Sequence, residues 1–363
     1  VDAKLFSSRT LSLSGALLFS LLAIGLGVSA VFFDLMRGQL GQPYSLTLPL
    51  WVCALASAGL GFWVVPLLRS LKAGQFIRED GPQAHLKKAG TPTMGGVFFI
   101  PVAVLVSLVW SGFSTDVVAV SLVTLAYGMI GWLDDWQIIR YKSNKGISPR
   151  LKLALQIGVA VLFCTWMALT QPASITTLAL PLGLTLPLGA LFWLLAGFVL
   201  VAESNATNLT DGLDGLAGGT AAIALLGLGA LIAPSSPDLM LFCACLSGSC
   251  LGFLVHNRNP ARVFMGDTGS LALGGGLAAV AVLSNSLFAL LVLSGLFLVE
   301  TLSVIAQVSY YKATKGPDGV GKRLFKMSPF HNHLELSGWT ETRIVGLFYL
   351  LGGLLAFLAI AVK

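Results

Sequence analysis

Four short stretches of the sequence hold most of its residues capable of chemistry. The first is Gly131-Trp132-Leu133-Asp134-Asp135, where two adjacent carboxylates follow an apolar run. Neighbouring carboxylates at a helix end repel each other and lose hydration, and a divalent cation or a bound basic group relieves both costs. The second runs from Asn205 through Asn208, Asp211, Gly212, Leu213 and Asp214 to Gly219. Amides and carboxylates at three-residue spacing share one face of a helical turn, and the glycines allow a backbone to approach a ligand closely. The third, Asn257 to Ser270, contains Phe264-Met265-Gly266-Asp267-Thr268-Gly269-Ser270. Its Asp, Thr and Ser suit a helix cap, and a capping Asp can also hold a metal. Phe264 offers a ring either for stacking on a nucleobase or for anchoring the loop. The fourth is Pro329-Phe330-His331-Asn332-His333-Leu334-Glu335. Its two histidines are poorly spaced for a helical zinc site. Beside Lys322, Arg323 and Lys326 they suit an anionic phosphate better.

The elements that must position these groups are apolar. Of the 363 residues, 56% are hydrophobic and 10% charged, against about 25% charged in a soluble domain. Eleven apolar segments, many near the roughly 20 residues that cross a hydrocarbon core, lie at 11–33, 47–68, 94–110, 116–133, 151–170, 186–203, 215–233, 239–256, 268–285, 287–310 and 343–362. They predict an all-α polytopic integral membrane protein embedded in a lipid bilayer. Segments 186–203 and 268–285, rich in glycine or polar at their ends, are where helix breaks are expected. The rival reading of segment 11–33 is a signal peptide, since Lys4, Arg9 and Val28-Ser29-Ala30 resemble its flanks. The apolar stretch continues through Phe33, which favours an uncleaved helix. All five cysteines fall inside apolar runs and match no zinc pattern.

Charge sets the expected orientation. Loops 69–93, 134–150 and 311–342 carry most of the lysines and arginines, as the positive-inside rule requires of cytoplasmic loops. With those three inside, strict alternation gives eleven crossings, the N-terminus in and the C-terminus out. Of the 22 basic residues only Arg37 and Lys363 then lie outside. No basic stripe is interleaved with exposed aromatics, so nucleic acid is not an expected partner. Asp134, Asp135, Asp211, Asp214, Asp267, Asn205, Asn208, His331 and His333 all fall on the inner side. The outer loops hold little beyond Asp34, Asp116 and Asp238. Ionisable groups at membrane depth are costly and usually functional. Oxygen ligands suited to Mg²⁺, basic groups suited to phosphates and apolar helices alongside define metal-assisted phosphoryl transfer from a soluble donor to a lipid acceptor. A transporter would place its site near the bilayer midplane, where Glu300 is the one conspicuous acid.

From about Leu50 to Lys363 the chain resembles the polyprenyl-phosphate N-acetylhexosamine-1-phosphate transferases. The resemblance rests on Gly90-Thr-Pro-Thr-Met-Gly-Gly96, Asn205 to Gly219, Phe264 to Ser270 and the paired acids. Pro329 to Glu335 followed by Gly338-Trp339 resembles the muramoyl branch in particular. It implies a Mg²⁺-dependent transfer of phospho-MurNAc-pentapeptide from UDP-MurNAc-pentapeptide to undecaprenyl phosphate, releasing UMP, at the inner face of the bacterial plasma membrane. The sister reaction with UDP-GlcNAc is the alternative. On the family pattern Asp267 is the metal ligand, and Asp134 and Asp135 position or deprotonate the acceptor phosphate. Asn208 and Asp211 line the region of the donor phosphates, and Asn205, Thr93 and His333 are further substrate-binding positions. Gly212, Leu213, Asp214, Phe264 and Lys88 hold the uridine, and His331 faces the phosphates. Direct attack and a covalent aspartyl intermediate both remain open. Three departures stand out. Asn332 replaces a third consecutive histidine, and Ile138 replaces a lysine whose charge Lys142 or Lys145 would supply. Segment 11–33 adds a helix to the usual ten, which divides the chain into 1–46 and a ten-helix core over 47–363. Members of the family often form dimers, so a homodimer is among the implied partners.

Overall fold

Inside hydrocarbon every backbone N–H and C=O must find its partner within the chain, which restricts spanning segments to helices and closed barrels. This chain uses helices. The computed structural model describes residues 13–71, 88, 90–141 and 146–362, and among them are thirteen α-helices and one two-stranded hairpin. Lys142 and Lys145, expected to replace the charge missing at Ile138, lie outside the described residues.

The helices are α1 (Gly15–Met36), α2 (Thr47–Ser70), α3 (Gly96–Trp110), α4 (Thr115–Tyr141) and α5 (Pro149–Thr170). After the antiparallel hairpin of β1 (Thr177–Ala179) and β2 (Thr185–Pro187) come α6 (Leu191–Thr210), α7 (Leu216–Ile232), α8 (Pro237–Asn257) and α9 (Gly266–Leu283). The chain ends with α10 (Leu287–Leu293), α11 (Gly295–Ala313), the short α12 (Phe330–Leu336) and α13 (Glu341–Ala361). Each of the eleven apolar segments is wholly or mostly helical, segment 186–203 only from Leu191 on. Seven helices (α1, α2, α4, α5, α8, α9 and α13) are long and apolar enough to cross a bilayer, and α10 with α11 makes an eighth. Apolar α3 and α7 are shorter, at 15 and 17 residues.

Three boundaries differ from the sequence expectation, each for a local reason. Helix α4 continues to Tyr141, so Asp134 and Asp135 lie within it rather than at its end. Helix α6 begins only at Leu191, because residues 177–187 pair as the hairpin, and it runs on to Thr210. The glycine-rich segment 268–285 is not broken at all. Its glycines serve close packing: a Cβ at Gly274 would lie 2.6 Å from Ser204 Cα on α6, and one at Gly275 would lie 2.7 Å from the Tyr127 ring on α4. Without a hydrophobic drive between helices in lipid, small residues that let backbones approach supply much of the packing energy. The break falls instead at Ser294, where α10 and α11 meet at 72°.

Helices α7, α8 and α9 are buried along nearly their whole length. Around them, α1, α5 and α13 present long apolar faces outward. One end of this bundle gathers the late turns of α4, the start of α5, the end of α6 and the starts of α9 and α13.

Candidate active site

The centre of that end is built where α9 begins. Its first residue, Gly266, has φ +72°, and a Cβ there would meet Asp135 Oδ2 at 2.5 Å and Thr93 Oγ1 at 2.9 Å. Only glycine combines that backbone with that space. The carboxylate of Asp135 accepts from the N–H groups of Asp267 (3.1 Å) and Thr268 (2.9 Å) and from the Thr268 hydroxyl (2.6 Å). Supplied from α4, it thereby caps the first turn of α9. Gly131, one turn earlier on α4, leaves room for the Asp267 backbone to lie against that helix.

Asp267 is thus held at a helix start with its side chain free to turn outward. Its Oδ1 accepts from Asn208 Nδ2 at 2.8 Å, and the same amide lies 2.8 Å from Ser270 Oγ. Its Oδ2 pairs with Lys152 from the first turn of α5. Asp134 Oδ2 lies 3.8 Å from the same ammonium, and its Oδ1 accepts from the Ile147 N–H at 2.9 Å. Two carboxylates therefore converge on one cation, with an amide fixing the orientation of one of them. Among the described residues no group of three or more His, Cys, Asp or Glu is assembled as a metal cage. The oxygen-only donor set around Lys152 fits Mg²⁺ all the same, because Mg²⁺ takes one or two carboxylates and completes its shell with water and phosphate oxygens.

The turn at 211–215, which follows α6, links this centre to two further clusters. Asp211 caps α6, and burial, followed by the charges of Asp267, Asp135 and Asp214, pushes its carboxyl up to about 8. Asp214 Oδ1 pairs with Lys88 Nζ at 2.7 Å, and its Oδ2 accepts from Asn259 Nδ2 (3.1 Å) and the Ala261 N–H (3.0 Å). Glu341, at the start of α13, joins them: it pairs with Lys88 at 2.6 Å and accepts from the Asp214 N–H and from Asn259 Nδ2. Burial lowers the Lys88 pKa, but Glu341 and Asp214 outweigh it and the net displacement is upward.

The third cluster surrounds His331, which is buried on α12. Its Nδ1 lies 3.1 Å from Glu300 Oε2, and its backbone N–H also donates to Glu300, a fully buried acid on α11. A carboxylate there accepts only, so Nδ1 carries the proton. Nε2 faces Gly212, where any Cβ would collide with it.

Other sequence candidates are placed apart from these clusters or act through the backbone. Asn205 donates to Gln156 Oε1 on α5 and to its own helix. Leu213 is buried in an apolar cluster with Leu18, Ile344 and Phe348, so its side chain serves packing. Phe264 is stitched by backbone hydrogen bonds to Pro92 and Gly95, beside buried Thr93. His333 accepts from the Lys326 N–H and packs edge-on against Phe325, turned toward its own loop. Lys152, Glu300 and Glu341 were not among the sequence candidates. For Glu300 a signal existed, since an acid within an apolar span is rarely idle. Lys152 and Glu341 read as ordinary charges at helix starts.

The carboxylate, amide and lysine centre of Asp134, Asp267, Asn208 and Lys152 lies at one end of the helical bundle. The profile of Glycosyl transferase family 4 matches residues 117–285. The chain belongs to the phospho-N-acetylmuramoyl-pentapeptide-transferase family. A signature of that family matches residues 88–100, the stretch that contains Lys88, Thr93 and the start of α3. The chain is 69% identical to the phospho-N-acetylmuramoyl-pentapeptide-transferase of Nostoc punctiforme, over 99% of this chain and 100% of that one. It is 68% identical to that of Trichormus variabilis and 59% identical to that of Acaryochloris marina, with 98% or more of every chain covered.

Proposed function

We propose that the chain transfers phospho-MurNAc-pentapeptide from its UDP donor to undecaprenyl phosphate, giving the first lipid intermediate of peptidoglycan synthesis and UMP. The convergence of Asp134 and Asp267 on Lys152, beside Asn208 and the 211–215 turn, carries this reading. Asp267, with Asp134 next to it, would hold Mg²⁺. Held there, the ion would supply positive charge to offset that of the donor's phosphates. Lys152 brings a second positive charge to the same point. Asn208 fixes the Asp267 carboxylate. His331, oriented by Glu300, presents Nε2 beside the turn, where it donates a hydrogen bond to a phosphate oxygen only when both ring nitrogens are protonated. Lys88, Asp214 and Asn259 form the polar wall for the uridine.

The acceptor is a phosphate monoester whose second pKa is about 6, so at neutral pH it arrives mostly as a dianion and needs no strong base. On this reading Asp135, with three hydrogen bonds to the start of α9, acts by positioning Asp267. The topology proposed with it is eleven crossings, the site on the cytoplasmic face of the plasma membrane, and α1 preceding a ten-helix core over 47–363.

The test is UMP release by purified protein in detergent with undecaprenyl phosphate, UDP-MurNAc-pentapeptide and Mg²⁺, beside Asp267→Ala. Mg²⁺-dependent release that the substitution abolishes is expected. Release from UDP-GlcNAc alone would overturn the donor assignment. Release that survives Asp267→Ala would remove that residue from the centre.

A further inference from the structure

Helix α1 lies outside the site, yet it is fixed at both ends. At its far end Asp34, fully buried, accepts from the N–H groups of Leu46 and Thr47 (both 2.8 Å) and from the Thr47 hydroxyl (2.6 Å), which ties α1 to the start of α2. At its near end Gly15 lies directly on Asn259: a Cβ would run into the Asn259 carbonyl and come within 2.8 Å of its backbone N. One turn on, Phe19 faces the Arg258 guanidinium at 5.8 Å, a cation–π distance. Leu18 belongs to the apolar cluster that also holds Leu213, Leu216, Ile344 and Val345, the residues flanking Asp214 and following Glu341. The gap left between this turn and Asp214 is about 10 Å³, room for about one water.

We propose that α1 is a strut whose first turn positions the donor pocket, acting through Asn259. That amide donates to Asp214 Oδ2 at 3.1 Å and to Glu341 Oε2 at 2.9 Å. Displacing the 258–262 loop therefore moves the partners of Lys88 while leaving the Asp267 centre in place. The inference rests on the reading that the Lys88–Asp214–Asn259 cluster receives the donor's uridine.

Steady-state kinetics of the full chain in detergent, varying donor and lipid acceptor separately, tests it. Gly15→Ala is expected to raise KM for the donor about tenfold, with kcat and KM for the lipid within about twofold. Phe19→Ala, which opens space rather than closing it, raises donor KM several-fold in the same pattern. Gly25 lies on the same helix with nothing within 4 Å of a Cβ, and Gly25→Leu leaves all constants at the parent values. Lys88→Ala reports on the pocket itself. If it raises donor KM while Gly15→Ala and Phe19→Ala do not, the strut is wrong and the pocket stands. If Lys88→Ala leaves donor KM unchanged, the pocket assignment falls and the strut with it. An equal loss for both substrates, or a fall in kcat alone, means general damage and also overturns the proposal.

Discussion

An ammonium group shared by two carboxylates is the least replaceable feature at residue scale. Lys152 reaches Asp267 and Asp134 together, where phosphoryl transfer needs positive charge already in position. Lys152→Ala is therefore expected to lower kcat/KM roughly 100-fold, the usual cost of removing one preorganised charge-stabilising group. Arginine should not rescue it, because a planar fork does not substitute for a compact point charge. Steady-state kinetics would reveal either result. Asp211 gives a pH signature. Its carboxyl is pushed up to about 8 by burial and by the neighbouring Asp267, Asp135 and Asp214. Below that pH the group is protonated in the free protein, so work that needs its charge is lost there and recovered as pH rises through about 8. The donor kcat/KM profile should climb across that window, and Asp211→Asn should flatten it. An unchanged profile in the variant would assign the limb to another group. Asp267, Asn208 and Asp214 were legible from sequence because amides and acids stand out in an apolar chain. Lys152 and Glu341 were not, because Asp267 and Lys88, with which they pair most closely, lie 115 and 253 residues away in sequence and nothing local marks them.

At the scale of elements, apolar runs located every long helix, while polar packing decided how they end or bend. The break at Ser294 shows this. Glycines in α9 suggested a kink by type, but each is taken up by a neighbouring helix. The bend occurs where the Ser294 hydroxyl, itself buried, donates to Glu203 Oε1 at 2.7 Å across from α6. Glu203 is the polar group that a run-based reading passed over, since its helix looked apolar up to the amides. Removing the donor strands a buried acceptor, which costs about 1–3 kcal/mol. Ser294→Ala should therefore lower the detergent-solubilised unfolding midpoint. Pairing it with Glu203→Leu should return part of the loss, since deleting both partners removes the unsatisfied group. Additive losses in the double variant would show that the hydrogen bond does not hold the bend.

For the whole molecule, the side of the membrane proposed for the site from charge can be read out directly. All five native cysteines are buried, so an introduced thiol can be labelled over a low background. Two positions lie on loops that the proposed topology puts on opposite faces. Leu182, 88% exposed at the hairpin tip, should be outside, and exposed Lys322, on the loop leading to α12 and His331, should be inside. Five helical passages separate them if α6, α7, α8, α9 and the bent α10–α11 pair each cross once. An odd number is required for opposite faces. With a membrane-impermeant maleimide on intact cells, Leu182→Cys should label at once and Lys322→Cys only after permeabilisation. The reverse pattern would put the carboxylate centre on the outer face, away from any cytoplasmic pool of nucleotide-linked donor. Labelling of both from one side would mean an even number of crossings between them, and the first candidate to lose its spanning role would be α7. It is the shortest of the deeply buried helices at 17 residues, below the roughly 20 that cross a hydrocarbon core unaided. It crosses only if the protein packed around it, rather than its own length, bridges the remaining thickness.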